Sequence, residues 1–116
     1  MQVVSATVGL PVRDLSRSVD WYRQVLELSE PNLEPAEGVV EFHVGPVWLQ
    51  LGEDGTARSG AEAVLRFGVP DARSQHTRLE AMGVAVGPLK HVPGAVDYFD
   101  FADPDGNALS IYTELE

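Results

Sequence analysis

Cysteine is absent from the 116 residues, so no disulfide framework closes this chain. Basic residues are scarce: 8 Lys and Arg stand against 18 Asp and Glu, a formal charge of −10 that repels a phosphate backbone instead of releasing its counterions. A nucleic-acid partner is therefore not expected, whereas an acidic surface favours cationic ligands and also keeps a protein in solution. No apolar run approaches the roughly 20 residues of a membrane span. The opening Met1-Gln2-Val3-Val4-Ser5 lacks the basic start and long apolar middle of a secretory signal, so no membrane partner and a cytoplasmic location are the expectations.

What is present is ordinary for a globular domain, with 44% apolar and 22% charged residues. One domain, 1–116, is expected, long enough to bury about two thirds of the surface of its unfolded form. Within it the chain repeats itself. Val8-Gly9-Leu10-Pro11-Val12-Arg13-Asp14 returns as Leu65-Arg66-Phe67-Gly68-Val69-Pro70-Asp71, each copy an alternating strand running into an Asp that can cap a helix. Two like modules follow, about 1–55 and about 61–116.

Thr7 to Val12 alternates as a half-buried strand, and after Asp14 the apolar positions Leu15, Val19, Tyr22, Val25 and Leu26 keep helical spacing. Pro31 and Pro35 restrict the next segment to a short or irregular edge strand. Val39–Val44 and Val47–Leu51 then read as a hairpin turning at Gly45-Pro46. Glu53 to Gly60 reads as a connector, and Glu62 to Val69 starts the pattern again. Asp71 opens a second helix with Ala72, Gln75, Leu79 and Met82 near one face and Gly83 as its stop. Val84 to Val86 is expected as a short strand and His91-Val92-Pro93-Gly94 as a loop. Val96–Phe101 pairs with Ala108–Thr113 across Asp103-Pro104-Asp105-Gly106-Asn107.

Strand alternation separates two faces. One carries Val8, Leu10, Val12, Val40, Phe42, Val44, Val47, Leu49, Leu51, Leu65, Phe67, Val69, Phe99, Phe101, Leu109 and Ile111, an apolar set that must pack beneath the helices. The other carries Thr7, Gly9, Glu41, His43, Trp48, Gln50, Val64, Arg66, Tyr98, Asp100, Ser110 and Tyr112. Flat aromatic surfaces among a few hydrogen-bonding groups suit an organic ligand, and pairing across the hairpin sets His43 opposite Trp48 and Glu41 opposite Gln50. The competing reading is a solvated sheet face with ordinary cross-strand pairs.

Catalytic machinery is not legible. Ser110 and His43 have no Gly-x-Ser-x-Gly elbow and no third residue spaced to orient the imidazole. No catalytic residue is assigned, although burial of Glu41 or Asp100 would make either a general base. His76 reads as a structural helix residue, His91 as an exposed loop residue, and Trp21 with Tyr22 as core or subunit-contact residues.

The Val12-Arg13-Asp14-Leu15 start, the Trp21-Tyr22-Arg23 and Val25-Leu26 that follow, the Asp-Pro-Asp-Gly turn and the duplicated layout together resemble the vicinal oxygen chelate superfamily, which groups glyoxalases, extradiol dioxygenases, fosfomycin-resistance enzymes and bleomycin-resistance proteins. The resemblance covers nearly the whole chain. It implies an α+β fold of two βαβββ modules whose curved mixed sheets form a ligand cavity, commonly in a homodimer. Metal-using members place ligands at positions that correspond here to Thr7, Gln50, Val64 and Ser110. Tight divalent sites want imidazole, thiolate or carboxylate, and Val has no lone pair, so no metal and no cofactor are expected. A displaced site from Glu41, His43 and Asp100 is the alternative metal set.

The expectation is therefore metal-independent sequestration of a small natural product, aromatic or cationic, such as an antibiotic or cytotoxic drug, as in the bleomycin-resistance branch that the chain resembles. Its binding residues are read as Thr7, Glu41, His43, Trp48, Gln50, Arg66, Tyr98, Asp100, Ser110 and Tyr112, with Glu41 and Asp100 able to pair a positive group. The alternative is a glyoxalase-like or dioxygenase-like enzyme using a rearranged metal site or a carboxylate base.

Overall fold

Asp14 and Asp71 each sit in extended backbone and accept a bond from the amide three residues on, Arg17 N at 3.2 Å and Ser74 N at 3.3 Å. Each thereby caps a helix, α1 over Leu15–Val25 and α2 over Ala72–Ala81. The computed structural model describes Gln2, residues 5–54 and residues 64–115. Backbone contacts gather the chain into two units, Met1–Arg58 and Ser59–Glu116. The connector read at Glu53–Gly60 lies outside the described residues from position 55 on, as does the stretch 62–63 assigned to the next strand.

The first unit holds β1 (Thr7–Val12), α1, β2 (Leu33–Ala36), β3 (Val39–Val44) and β4 (Val47–Glu53), its sheet ordered β1-β4-β3-β2. The second repeats this with β5 (Leu65–Gly68), α2, β6 (Lys90–Val92), β7 (Val96–Ala102) and β8 (Ala108–Glu114), ordered β5-β8-β7-β6. In both, the first strand runs parallel to the last and the remaining pairs are antiparallel. Two βαβββ modules with mixed sheets are thus what the repeat encodes.

The helices cover the apolar faces. In the first unit α1 packs on β4 and buries Tyr22 and Val25 with Phe42, Leu49 and Leu51; in the second α2 packs on β7 and β8, burying Leu79 with Phe99, Phe101, Leu109 and Ile111. At about 25 cal/mol per Å² of apolar surface removed from water, this burial is the main favourable term in each unit. His76 belongs to this packing: Nε2 donates to the Gly87 carbonyl at 2.8 Å and the ring stands edge-on to Phe99.

Two assignments along the second unit need correction. Residues 84–86 form no strand, and the strand that closes the sheet is β6, which contains His91 and Val92 instead of leaving them in a loop. Gly87 explains the shift. Its amide donates to the Asp100 carbonyl at 2.7 Å, and a Cβ there would lie 2.9 Å from that oxygen. Only glycine allows the chain to cross β7 so closely, and the free edge of β7 then pairs with Lys90–Val92.

The Asp-Pro-Asp-Gly turn is held by one carboxylate. Asp103 Oδ1 accepts from the amides of Asp105 at 2.9 Å and Asn107 at 2.8 Å, while Oδ2 accepts from Asn107 Nδ2 at 2.7 Å. Both side chains are buried, and Gly106 supplies the positive φ of 84° that the turn requires. β7 and β8 are thereby set in the register that builds the site.

Candidate functional site

In the first unit the register lines up Thr7, Trp48 and His43 in one row and Gly9, Gln50 and Glu41 in the next. The His43 and Trp48 rings stack at 4.6 Å with 17° between planes. Gln50 Nε2 donates to Glu41 Oε2 at 2.8 Å. The hairpin pairing expected from the sequence is therefore present, and its side chains already engage one another.

In the second unit the rows are Arg66, Ser110, Asp100 and then Gly68, Tyr112, Tyr98, Lys90. Arg66 Nη1 stands 3.9 Å from Asp100 Oδ1, the two arriving from the strands on either side of Ser110. Ser110 itself is 0% exposed and its hydroxyl donates to the Phe99 carbonyl at 3.2 Å. Tyr112 lies across Gly68, where a Cβ would be only 2.9 Å from Oη and 3.0 Å from Cζ. The Lys90 ammonium sits 5.4 Å from the centre of the Tyr98 ring, a cation–π distance.

Above these rows lies a cavity of about 590 Å³ lined by Arg66, Tyr98, Tyr112, Val96 and Glu114, with Ala95 and Leu115 at its far end. That size suits a small organic molecule, for which pockets run from about 300 to 1,000 Å³. Three of the expected residues, Arg66, Tyr98 and Tyr112, line it. Val96 and Glu114 were missed, although both continue the alternation of Tyr98 and Tyr112; ending the last strand at Thr113 lost Glu114. Ala95 and Leu115 carry no such signal, being brought together by the Leu115 amide donating to the Ala95 carbonyl at 2.8 Å.

The donor set at the four positions implied for a metal does not fit one. Thr7 opens β1, Val64 precedes β5 and has no donor atom, the Gln50 amide is bonded to Glu41, and the Ser110 hydroxyl is turned to backbone. Among the described residues no group of three or more His, Cys, Asp or Glu is placed to hold a metal ion.

A polar cluster that sequence reasoning did not find lies on the other face of the second sheet. Buried Asp97 is bonded to His91 Nδ1 through Oδ1 and to Arg73 Nε through Oδ2, the latter at 3.2 Å. The His91 hydrogen bond first, and then the Arg73 charge, hold the Asp97 carboxyl below its ordinary range against the opposing effect of burial. The cluster ties β6 and β7 to α2. Among the described residues no helix is long and apolar enough to cross a membrane.

The family described as Glyoxalase/Bleomycin resistance protein/Dioxygenase superfamily matches residues 4–111. No curated protein matches the chain. Among solved structures, a fosfomycin resistance protein, FosX, from Listeria monocytogenes is similar with a TM-score of 0.83 at 17% identity, over 97% of this chain and 94% of that one. A lactoylglutathione lyase from Agrobacterium tumefaciens is similar with a TM-score of 0.75 at 24% identity, over 93% and 91%. TnmS3, an antibiotic binding protein from Streptomyces sp. CB03234, gives a TM-score of 0.76 at 21% identity, over 95% and 94%. These likenesses establish the fold.

Proposed function

From the premise that this chain belongs to the glyoxalase/bleomycin resistance protein/dioxygenase superfamily, we propose that it binds a small organic natural product and sequesters it without a metal ion. The observation that carries this is the cavity in the second unit, floored by Tyr98 and Tyr112 with Arg66 and Glu114 beside them. Aromatic side chains give contact area at little entropic cost, and a few polar groups orient the guest. Thr7, Gln50, Val64 and Ser110 supply no donor set for a divalent ion, so binding rests on area and hydrogen bonds. The antibiotic binding protein named above has the same fold and is the precedent for reading the guest as an antibiotic; the lyase and the fosfomycin resistance protein are the precedent for the enzymatic alternative.

The test is a screen of antibiotics and cytotoxic natural products for thermal stabilisation, with calorimetry on each hit. A ligand at a hundred times its Kd stabilises by about 2.7 kcal/mol, which a melting curve resolves. Tyr112→Ala is expected to abolish the shift. A stoichiometric transition metal in the purified protein that is lost in Glu41→Ala or His43→Ala would replace this reading with the enzymatic one.

A further inference from the structure

Resting on the binding role proposed above, we infer that the guest of the second unit's cavity is a flat dipolar molecule, with an anionic oxygen group held by Arg66 at one end and a protonated amine held by Glu114 at the other. The register sets this polarity. Arg66 is level with Ser110 of β8, and Glu114 lies four residues further along the same strand on the same face. At about 3.3 Å per residue, the two charged rows are about 13 Å apart, with Tyr112 and Tyr98 between them. The span is that of a two-ring aromatic with one substituent at each end.

Arg66 is open to such a group. Its Asp100 partner stands 3.9 Å away, beyond the hydrogen-bond range of about 2.7–3.2 Å, and both side chains are about half exposed at 54% and 53%. The planar fork of the guanidinium therefore keeps donors for two oxygens of a carboxylate or similar anion. Asp100 does not line the cavity, whereas Glu114 does, is exposed, and has no ion-pair partner among the described residues. A cationic group is not drawn to the Tyr98 ring, because Lys90 already stands over it. The whole chain, at −10, opposes the approach of a purely anionic guest, while a dipolar one feels no net repulsion and is turned by the local charges.

The test uses the full chain and four biphenyls in calorimetry: one with a para carboxylate, one with an aminomethyl group at the opposite para position, one with both, and one with neither. The doubly substituted probe is expected to bind tightest. Arg66→Gln is expected to weaken the two acids by about tenfold or more and leave the amine unchanged, the loss of the charge-assisted, two-oxygen contact. Glu114→Gln is expected to weaken the two amines and leave the acid unchanged. Arg66→Lys keeps the charge without the planar fork and should fall between wild type and Arg66→Gln for the acids. Four probes binding alike, or the unsubstituted one binding best, would overturn the dipolar assignment and leave the binding role standing. No heat from any of the four, while the natural-product screen still gives stabilising ligands, would also overturn it alone; silence in both would remove the binding role as well.

Discussion

Replacing Gly68 with Ala separates the stability of the second sheet from the shape of its cavity. Gly68 is not among the glycines with positive φ, so its backbone accepts a side chain. The obstacle is Tyr112, whose Oη, Cζ and Cε2 would lie 2.9, 3.0 and 3.4 Å from the new Cβ. Carbon atoms rest about 3.5–4.0 Å apart, so the ring must lift by about half an ångström to one ångström. The alanine restrains the unfolded chain and gains about 0.4–1 kcal/mol, which the displaced ring offsets. Melting should therefore move by no more than a few degrees, at roughly 4–8 °C per kcal/mol. Binding should suffer more: about ten ring-atom contacts of 0.1–0.2 kcal/mol each are put at risk, a loss of about 1.4 kcal/mol or tenfold in Kd for the doubly substituted biphenyl. Calorimetry and thermal melting read the two effects separately. Gly52→Ala, where a Cβ meets nothing within 4 Å, is the control and should leave binding unchanged. If Gly68→Ala binds as well as wild type and takes the whole glycine-to-alanine gain in stability, the Tyr112 ring does not lie over Gly68 beside the guest.

Three further outcomes follow from the packing and charges. Asp97 has a lowered pKa in the folded chain, so between that value and the ordinary carboxyl value the unfolded chain binds more protons and stability rises with pH. The contribution is present above the ordinary value and lost as pH falls through the folded one; in acid titrations followed by circular dichroism, His91→Ala should move that loss to higher pH. Glu27 adopts φ of 55° just past α1, and Glu27→Gly should raise stability by about 1 kcal/mol in urea unfolding, the cost of left-handed backbone for a residue with a Cβ. Phe99 is 0% exposed, and Phe99→Ala should cost about 3–5 kcal/mol by the same assay; a loss below 1 kcal/mol would mean the core collapses around the gap.

Much of the fold was legible because its signals are local. The capping aspartates Asp14 and Asp71, the Gly45-Pro46 hairpin and the apolar alternation each lie within a few residues of what they control. The stacked pair His43 and Trp48 and the bonded pair Glu41 and Gln50 were readable for the same reason, since a short turn sets the register of its own strands. β6 was not. Its place depends on Gly87 crossing Asp100 on a strand that comes later in the chain.

The sequence by itself determined the duplicated modules and the division of each strand into an apolar and a polar face, because periodicity needs no knowledge of distant partners. Tertiary structure alone decided which of the polar-face residues border an open space. Ser110 lies buried between Arg66 and Asp100, and Tyr112 rests over Gly68, contacts between strands remote in sequence. A cavity is what side chains leave unfilled after they pack. No stretch of chain specifies it alone, so Glu114 joined the site only when pairing of β7 with β8 carried the strand one residue further than the alternation had been followed.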